Sequence, residues 1–131
     1  MEKKNKTLLL QDICARLPYG VCVHIRYKEG EPCYGKLTPM DIQWFIDSKI
    51  KEIKPYLRPM SSMTGKEYKE ARTNGCIIYH DTSPKNRGLM VTASQKGFDW
   101  LNKKMFDYRG LIAKGLALEA HEGVYNTREI I

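Results

Sequence analysis

The chain has 131 residues, of which 42% are hydrophobic and 28% charged, and its formal net charge is +7 at neutral pH. This length predicts a single domain over residues 1–131, and the composition excludes a disordered or low-complexity protein. The four cysteines lack CxxC spacing, and the sequence predicts neither a signal peptide nor a membrane span. We therefore expect free thiols, a cytoplasmic location and no membrane partner.

The first segment is predicted to be a helix that follows a disordered start at residues 1–6. Thr7 is a candidate N-cap, and Leu10, Ile13 and Leu17 then share one helical face. Pro18 ends this helix, because the residue before a proline avoids the α region.

A β-hairpin is predicted next. Val21, Val23, Ile25 and Tyr27 alternate with polar or smaller residues, which is the pattern of a strand with one buried face. The turn at 29–32 leads to a returning strand over residues 34–37.

Residues 38–54 fit two patterns. Thr38, Pro39 and Asp41 suit the N-cap, N1 and N3 positions of a helix, and the following apolar residues keep helical spacing. Ile42, Trp44 and Ile46 also alternate as in a strand, so the local sequence leaves both structures open.

The middle of the chain is predicted to contain one polar helix and two strands. The two prolines in 54–59 indicate extended or turn-like structure. Thr64 and Glu67 form a predicted capping box for a helix to about Arg72, closed by Asn74-Gly75. Strands are expected at 76–80 and 89–91, with a loop at 81–88 between them.

Residues 92–119 contain the clearest helix signals. Thr92 to Gln95 fit a capping box, and Phe98, Leu101 and Met105 follow at helical spacing. Gly97 is unfavourable inside a helix, which suggests close packing against another element. A second short helix is expected at 108–114 with Asp107 as N-cap and Gly115 at positive φ, followed by an extended return through residues 116–118.

Three segments resemble a group of small uncharacterised proteins encoded in prophage-like and mobile regions of anaerobic gut bacteria. They are KPYLRPMSSMT at 54–64, DWLN at 99–102, and FDYRGLI.KGLALEA.EGVY at 106–125. The resemblance covers roughly residues 7–125 in order. It implies a mobile-element context but no activity. It also implies a strand where relatives match 37–47, so we expect a strand for Pro39–Ile46 against the local helical pattern.

The positive charge is concentrated in residues 82–116, which carry a net charge of +5. Basic residues neutralise phosphates, and tyrosines beside basic groups, as at Tyr27, Tyr34, Tyr56 and Tyr108, can stack on bases. A solubilising surface charge would give the same composition. The candidate phosphate-binding residues are Lys85, Arg87, Lys96, Lys103, Lys104 and Arg109.

Signals for catalysis or metal binding are weak. The pairs Cys22/His24 and Cys76/His80 could converge on zinc if two strands brought them together, but their spacing matches no common zinc pattern. Cys76 and His80 could also form a thiolate–imidazole pair. A buried thiol and a histidine at a wet sheet edge explain the same residues, so we predict no catalytic residue, metal or cofactor.

The sequence as a whole predicts an α+β fold, with a small antiparallel sheet, an N-terminal helix and C-terminal helices packed on it. The leading interpretation is a non-enzymatic accessory protein of a mobile element that binds nucleic acid. The alternative is a protein–protein adaptor or an inhibitor of a host factor, with an exposed apolar patch around Trp44, Phe45 and Tyr56. An enzyme is the third possibility and would need a cleft where Cys76, His80 or Asp81 meet.

Overall fold

The computed structural model describes residues 2–81 and 88–125, with the backbone alone described at 80, 81, 88 and 89. The α+β prediction is confirmed. In chain order the elements are α1 (Lys3–Arg16), β1 (Cys22–Tyr27), β2 (Cys33–Lys36), α2 (Pro39–Ile46), β3 (Ile50–Leu57), α3 (Gly65–Thr73), β4 (Cys76–Asp81), β5 (Gly88–Ala93), α4 (Gln95–Lys103) and β6 (Leu118–Glu119).

The main sheet has the strand order β2-β1-β3-β6. Strands β1, β2 and β3 are antiparallel, as the hairpin pattern predicts, whereas β6 joins β3 in parallel and makes the sheet mixed. Val21, Val23 and Ile25 are buried on one face, as expected from their alternation. A separate two-stranded sheet is formed by β4 and β5.

Helix α1 starts earlier than expected. It begins at Lys3, so residues 3–6, predicted to be disordered, lie in its first turn. Thr7 is not the N-cap, because its hydroxyl donates instead to the backbone oxygen of Lys3 one turn back, at 3.0 Å. The helix ends where predicted, with a 3-10 turn over Leu17–Tyr19 that contains Pro18.

The strand expected for Pro39–Ile46 is wrong, because this segment is helix α2. The Thr38 hydroxyl accepts from the Asp41 backbone N–H at 3.2 Å, and the Asp41 carboxylate accepts from the Thr38 N–H at 3.0 Å. This reciprocal capping box satisfies two amide groups that would otherwise lack partners at the helix start. The local signal was therefore correct, and the strand implied by the resemblance was not.

Strand β3 contains the apolar residues that had suggested a continued helix. Ile25 pairs with Ile53 and Tyr27 with Ile50, so Lys51 is an extra residue in β3 opposite the Arg26–Tyr27 step. Such a bulge turns the spacing of same-face residues from two to three. Ile50 and Ile53 are consequently buried on the same face, which imitates helical periodicity.

Two helices pack against the β4–β5 sheet. Helix α3 has the predicted capping box between Thr64 and Glu67. Helix α4 is capped by Ser94, whose hydroxyl accepts from the Gly97 N–H at 3.2 Å, rather than by Thr92, which lies in β5.

The helix expected at 108–114 is wrong, and the segment forms consecutive turns instead. The Asp107 carboxylate accepts from the backbone N–H groups of Leu111 and Ile112 at 2.8 and 2.9 Å, so it does hold amide groups as a cap would. Gly110 lies between Asp107 and these two residues. Its φ of +74° interrupts the right-handed helical conformation there. Gly115 has the predicted positive φ, at +73°.

The buried residues in the described part of the chain form two hydrophobic clusters. The first, between the main sheet and helices α1 and α2, includes Leu9, Ile13, Phe45 and Ile53. The second, between α3, α4 and the β4–β5 sheet, includes Ala71, Cys76, Trp100 and Phe106. The consecutive residues Met105 and Phe106 lie in different clusters, so the segment after α4 connects them.

Candidate nucleic-acid interface

Three of the predicted phosphate-binding residues lie on or next to α4. Lys96 and Lys103 are seven residues apart and exposed on the same face, while Lys104 is the C-cap and is half-buried. Asp99 shares the exposed face, and its carboxylate accepts from the Gln95 amide at 2.9 Å. None of the three lysines forms an ion pair with a residue that the structure describes. Lys96 and Lys103 are exposed to solvent, and Lys104 is partly so.

Arg109, unlike the three lysines, is paired within the fold. Its guanidinium is 2.9 Å from the Asp12 carboxylate and stacks over the Tyr108 ring, 4.6 Å from the ring centroid. Its side chain keeps 23% of its surface exposed, so one part is used in the fold and another part reaches solvent. Lys85 and Arg87 lie outside the described residues.

The Asp12 carboxylate is shared by two guanidinium groups. Asp12 and Arg16 are fully buried, and Arg16 Nε donates to Asp12 Oδ2 at 3.0 Å. Arg16 Nη2 donates to the backbone oxygen of Phe106 at 2.7 Å, but Nη1 has no hydrogen-bond partner among the described residues. Among the described residues, one carboxylate opposite two arginines leaves one positive charge in excess at this cluster. The sequence analysis missed this cluster, although the Asp12–Arg16 spacing of four residues suits a helical ion pair.

A groove of about 510 Å³ opens beside this cluster. Gln95, Phe98 and Asn102 form one wall from a single flank of α4, and Tyr108 and Arg109 form another, with Ala15 and Val91. The Tyr108 hydroxyl donates to Asn102 Oδ1 at 2.9 Å, which leaves the Asn102 amide NH₂ as the group that can donate to a ligand. The groove thus combines a cation, aromatic surface and a polar amide.

The candidate zinc pairs do not meet. Cys22 lies in the main sheet, and Cys76 lies in the second cluster against α4. No group of three potential ligands suited to a metal ion occurs within 2–81 and 88–125. The Cys22 thiol is buried near the backbone oxygen of Val124, at 3.8 Å.

The proposed nucleophile Cys76 is a buried thiol. It is 2% exposed and donates to the backbone oxygen of Gly97 at 3.5 Å. Burial raises the pKa of this thiol, which disfavours the reactive thiolate. The side chains of its suggested partners, His80 and Asp81, lie outside the described part of the structure.

The three residues expected to form an apolar patch, Trp44, Phe45 and Tyr56, are at most partly exposed. Phe45 is buried, and Trp44 packs edge-on against Tyr27 with ring centroids 6.2 Å apart. Among the side chains that the structure describes, the most exposed large apolar ones are Ile77, at 66%, and Tyr34, at 59%.

Comparison with protein-family models, curated proteins and solved structures finds no match to this chain. Among the described residues, no helix is both long and apolar enough to cross a membrane.

Proposed function

We propose that this protein binds nucleic acid, as an accessory protein of a mobile element, through a basic surface formed by Lys96, Lys103, Lys104 and Arg109. The observation that carries the proposal is the placement of the three lysines together on and next to α4, where none forms an ion pair with a described residue. Arg58, by contrast, is paired within the fold with Glu67 at 2.7 Å. Cations directed at solvent are the groups that replace counterions around phosphates.

The buried cluster around Asp12 adds to this surface. Its excess positive charge lies next to Arg109, whose guanidinium is partly exposed at the groove. A phosphate near Arg109 would compensate a charge that the fold leaves unbalanced. Electrostatic contacts of this kind depend little on base sequence, so we expect binding with weak sequence preference.

Fluorescence polarisation with labelled duplex DNA, single-stranded DNA and RNA at several salt concentrations tests the proposal. The triple variant K96Q/K103Q/K104Q should weaken binding and lower the slope of log affinity against log salt by about one per lost phosphate contact. The matched control K28Q/K51Q/K66Q removes the same charge from exposed lysines elsewhere and should leave the slope nearly unchanged. If both triple variants lost the same affinity and the same salt dependence, the effect would come from total charge, and a defined binding surface on α4 would be contradicted.

A protein partner is the second candidate, and the β4–β5 sheet favours it. Ile77 and Tyr79 are two residues apart on one face of β4 and are 66% and 46% exposed. Their pairing residues in β5 are Thr92 and Met90, which extend this face. If no nucleic acid binds at low salt, this face becomes the first surface to test.

A further inference from the structure

The face of the main sheet opposite the first cluster carries an ordered set of aromatic and basic residues. His24 pairs with Tyr34 on one side and with Lys54 on the other, and directly paired residues share a face. Cys22 pairs with Lys36, and Arg26 pairs with Glu52. Tyr56, two residues beyond Lys54, lies on the same face by alternation. We call this surface the outer face of the sheet: His24, Arg26, Tyr34, Lys36, Glu52, Lys54 and Tyr56.

The described helices leave this face open. Leu9 and Ile13 of α1 and Phe45 of α2 are buried with Val23 and Ile53, which point to the opposite side of the sheet. Tyr34 is 59% exposed, which is a large exposure for an aromatic side chain on a strand. Arg26 and Lys36 are also exposed. Solvent therefore reaches Tyr34, Arg26 and Lys36, while at the other end of this face the C-terminal segment packs His121 against Tyr56 and brings Val124 close to Cys22.

The aromatic rings on this face form a connected row. Tyr34 and Tyr56 meet edge to face across β1 with centroids 5.8 Å apart, and Tyr56 meets His121 in the same way at 5.8 Å. These contacts fix the ring orientations while Tyr34 keeps much of its surface free. His24 lies between Tyr34 and Lys54, and its Nδ1 has no hydrogen-bond partner among the described residues.

The charges on the outer face favour an anionic ligand. Arg26, Lys36 and Lys54 oppose the single acid Glu52, whose carboxylate is 4.0 Å from the Lys54 ammonium. Lys36 forms no ion pair with a described residue. Cations that flank exposed aromatic rings suit a strand whose bases are unpaired, because the rings stack on bases while the cations contact phosphates. A duplex hides its base faces and cannot use the rings in this way.

We infer that the outer face of the main sheet is a binding site for single-stranded nucleic acid. Bases would stack on Tyr34 and on the exposed surface of Tyr56, and Lys36, Lys54 and Arg26 would contact the phosphates. This inference and the proposed function both name nucleic acid as the partner, and in that respect the inference rests on the proposed function. It uses different residues, however, and it specifies unpaired strands, so the two can fail separately.

The test compares a labelled 12-nucleotide oligo-dT with a labelled duplex of the same length. Tyr34→Leu keeps an apolar side chain but removes the ring, and we expect it to weaken oligo-dT binding about tenfold or more. Tyr34→Phe keeps the ring and should bind within about twofold of the wild type. Tyr79→Leu removes a similarly exposed tyrosine from the other sheet and is the matched control. Circular dichroism checks that each variant is folded.

The outcomes separate the two proposals. Loss of oligo-dT binding in Tyr34→Leu, with Tyr34→Phe and Tyr79→Leu unaffected, supports the site. Wild-type oligo-dT affinity in Tyr34→Leu overturns it, even if K96Q/K103Q/K104Q weakens binding and the proposed function stands. If Tyr34→Leu loses binding while the lysine triple variant keeps it, the outer face binds and the α4 surface does not. No oligo-dT binding at low salt overturns the inference directly.

Discussion

Gly97 shows how a single residue joins a helix to a sheet. A Cβ atom at this position would lie 2.8 Å from the Ala93 Cβ and 3.0 Å from the Cys76 sulfur. Those distances are shorter than carbon and sulfur contacts normally allow, and neither neighbour is the end of a flexible chain. Glycine is therefore required for α4 to pack closely on the β4–β5 sheet. Its presence inside a helix, unfavourable by propensity, was the signal in the sequence that predicted this close packing.

We predict that Gly97→Ala is less stable than Gly65→Ala by about 1–3 kcal/mol, the steric cost of overpacking. The gain of about 1 kcal/mol in helix propensity is common to both substitutions. Gly65→Ala is the control, because it also lies in a helix but has nothing within 4 Å of an added Cβ. Urea denaturation of both variants measures the difference. A Gly97→Ala variant as stable as Gly65→Ala would mean that α4 moves freely away from the sheet.

Individual elements were predictable where their signals are local. The capping boxes at Thr38 and Thr64 involve residues three apart, so the sequence alone identifies them, and both are formed. The bulge at Lys51 in β3 depends on pairing with β1, a strand more than twenty residues earlier. No local pattern encodes that pairing, and this is why the apolar spacing there was interpreted as helical.

An ion pair joins the end of β3 to α3, and its contribution to the stability of the fold depends on pH. Arg58, just after β3, donates two hydrogen bonds to the Glu67 carboxylate of α3, both at 2.7 Å. Chiefly through these bonds Arg58 lowers the pKa of Glu67 to about 2. The folded state thus favours the ionised carboxylate. Its contribution to stability is present above about pH 4.5 and is lost as the pH falls toward 2.

We predict that Glu67→Gln lowers stability by about 1–2 kcal/mol at pH 7, because it removes a charge-assisted pair while glutamine retains the capping box. The difference from the wild type should shrink between pH 4.5 and pH 2, as the wild-type carboxylate becomes protonated. Glu70→Gln, on the same helix, should change stability by less than about 0.5 kcal/mol. Thermal unfolding at several pH values measures both, and a Glu67→Gln deficit that stays constant down to pH 2 would contradict the assignment.

At the scale of the whole molecule, the candidate surfaces depend on pairing between distant segments. The sequence shows Tyr34 and Lys36, and Lys54 and Tyr56, each two residues apart, and such spacing places each pair on one face of a strand. Only the register of β2 and β3 on either side of β1 brings the two pairs together. The groove beside Arg109 likewise needs α1, β5 and α4 in contact, which no local motif predicts.

The two hydrophobic clusters are connected through shared backbone and side-chain contacts. The Arg58 N–H donates to the Met105 oxygen at 2.7 Å, and the Asp107 N–H donates to the Arg58 oxygen at 2.8 Å. Arg16 of α1 reaches the Phe106 oxygen at 2.7 Å. Separating the clusters would break these bonds and take the Phe106 oxygen away from the buried Arg16. The prediction of a single domain therefore implies that both clusters unfold together.

The two tryptophans allow this to be tested, because Trp44 packs against the first cluster and Trp100 lies in the second. Trp44→Phe leaves Trp100 as the fluorescent reporter, and Trp100→Phe leaves Trp44. In each variant we expect the urea midpoint from tryptophan fluorescence to coincide with the midpoint from far-ultraviolet circular dichroism, as for a two-state transition. Comparing two signals within one variant removes the effect of the substitution on stability. A fluorescence midpoint in either variant clearly separated from its circular dichroism midpoint would show that the clusters unfold independently, and residues 1–131 would then contain two folding units.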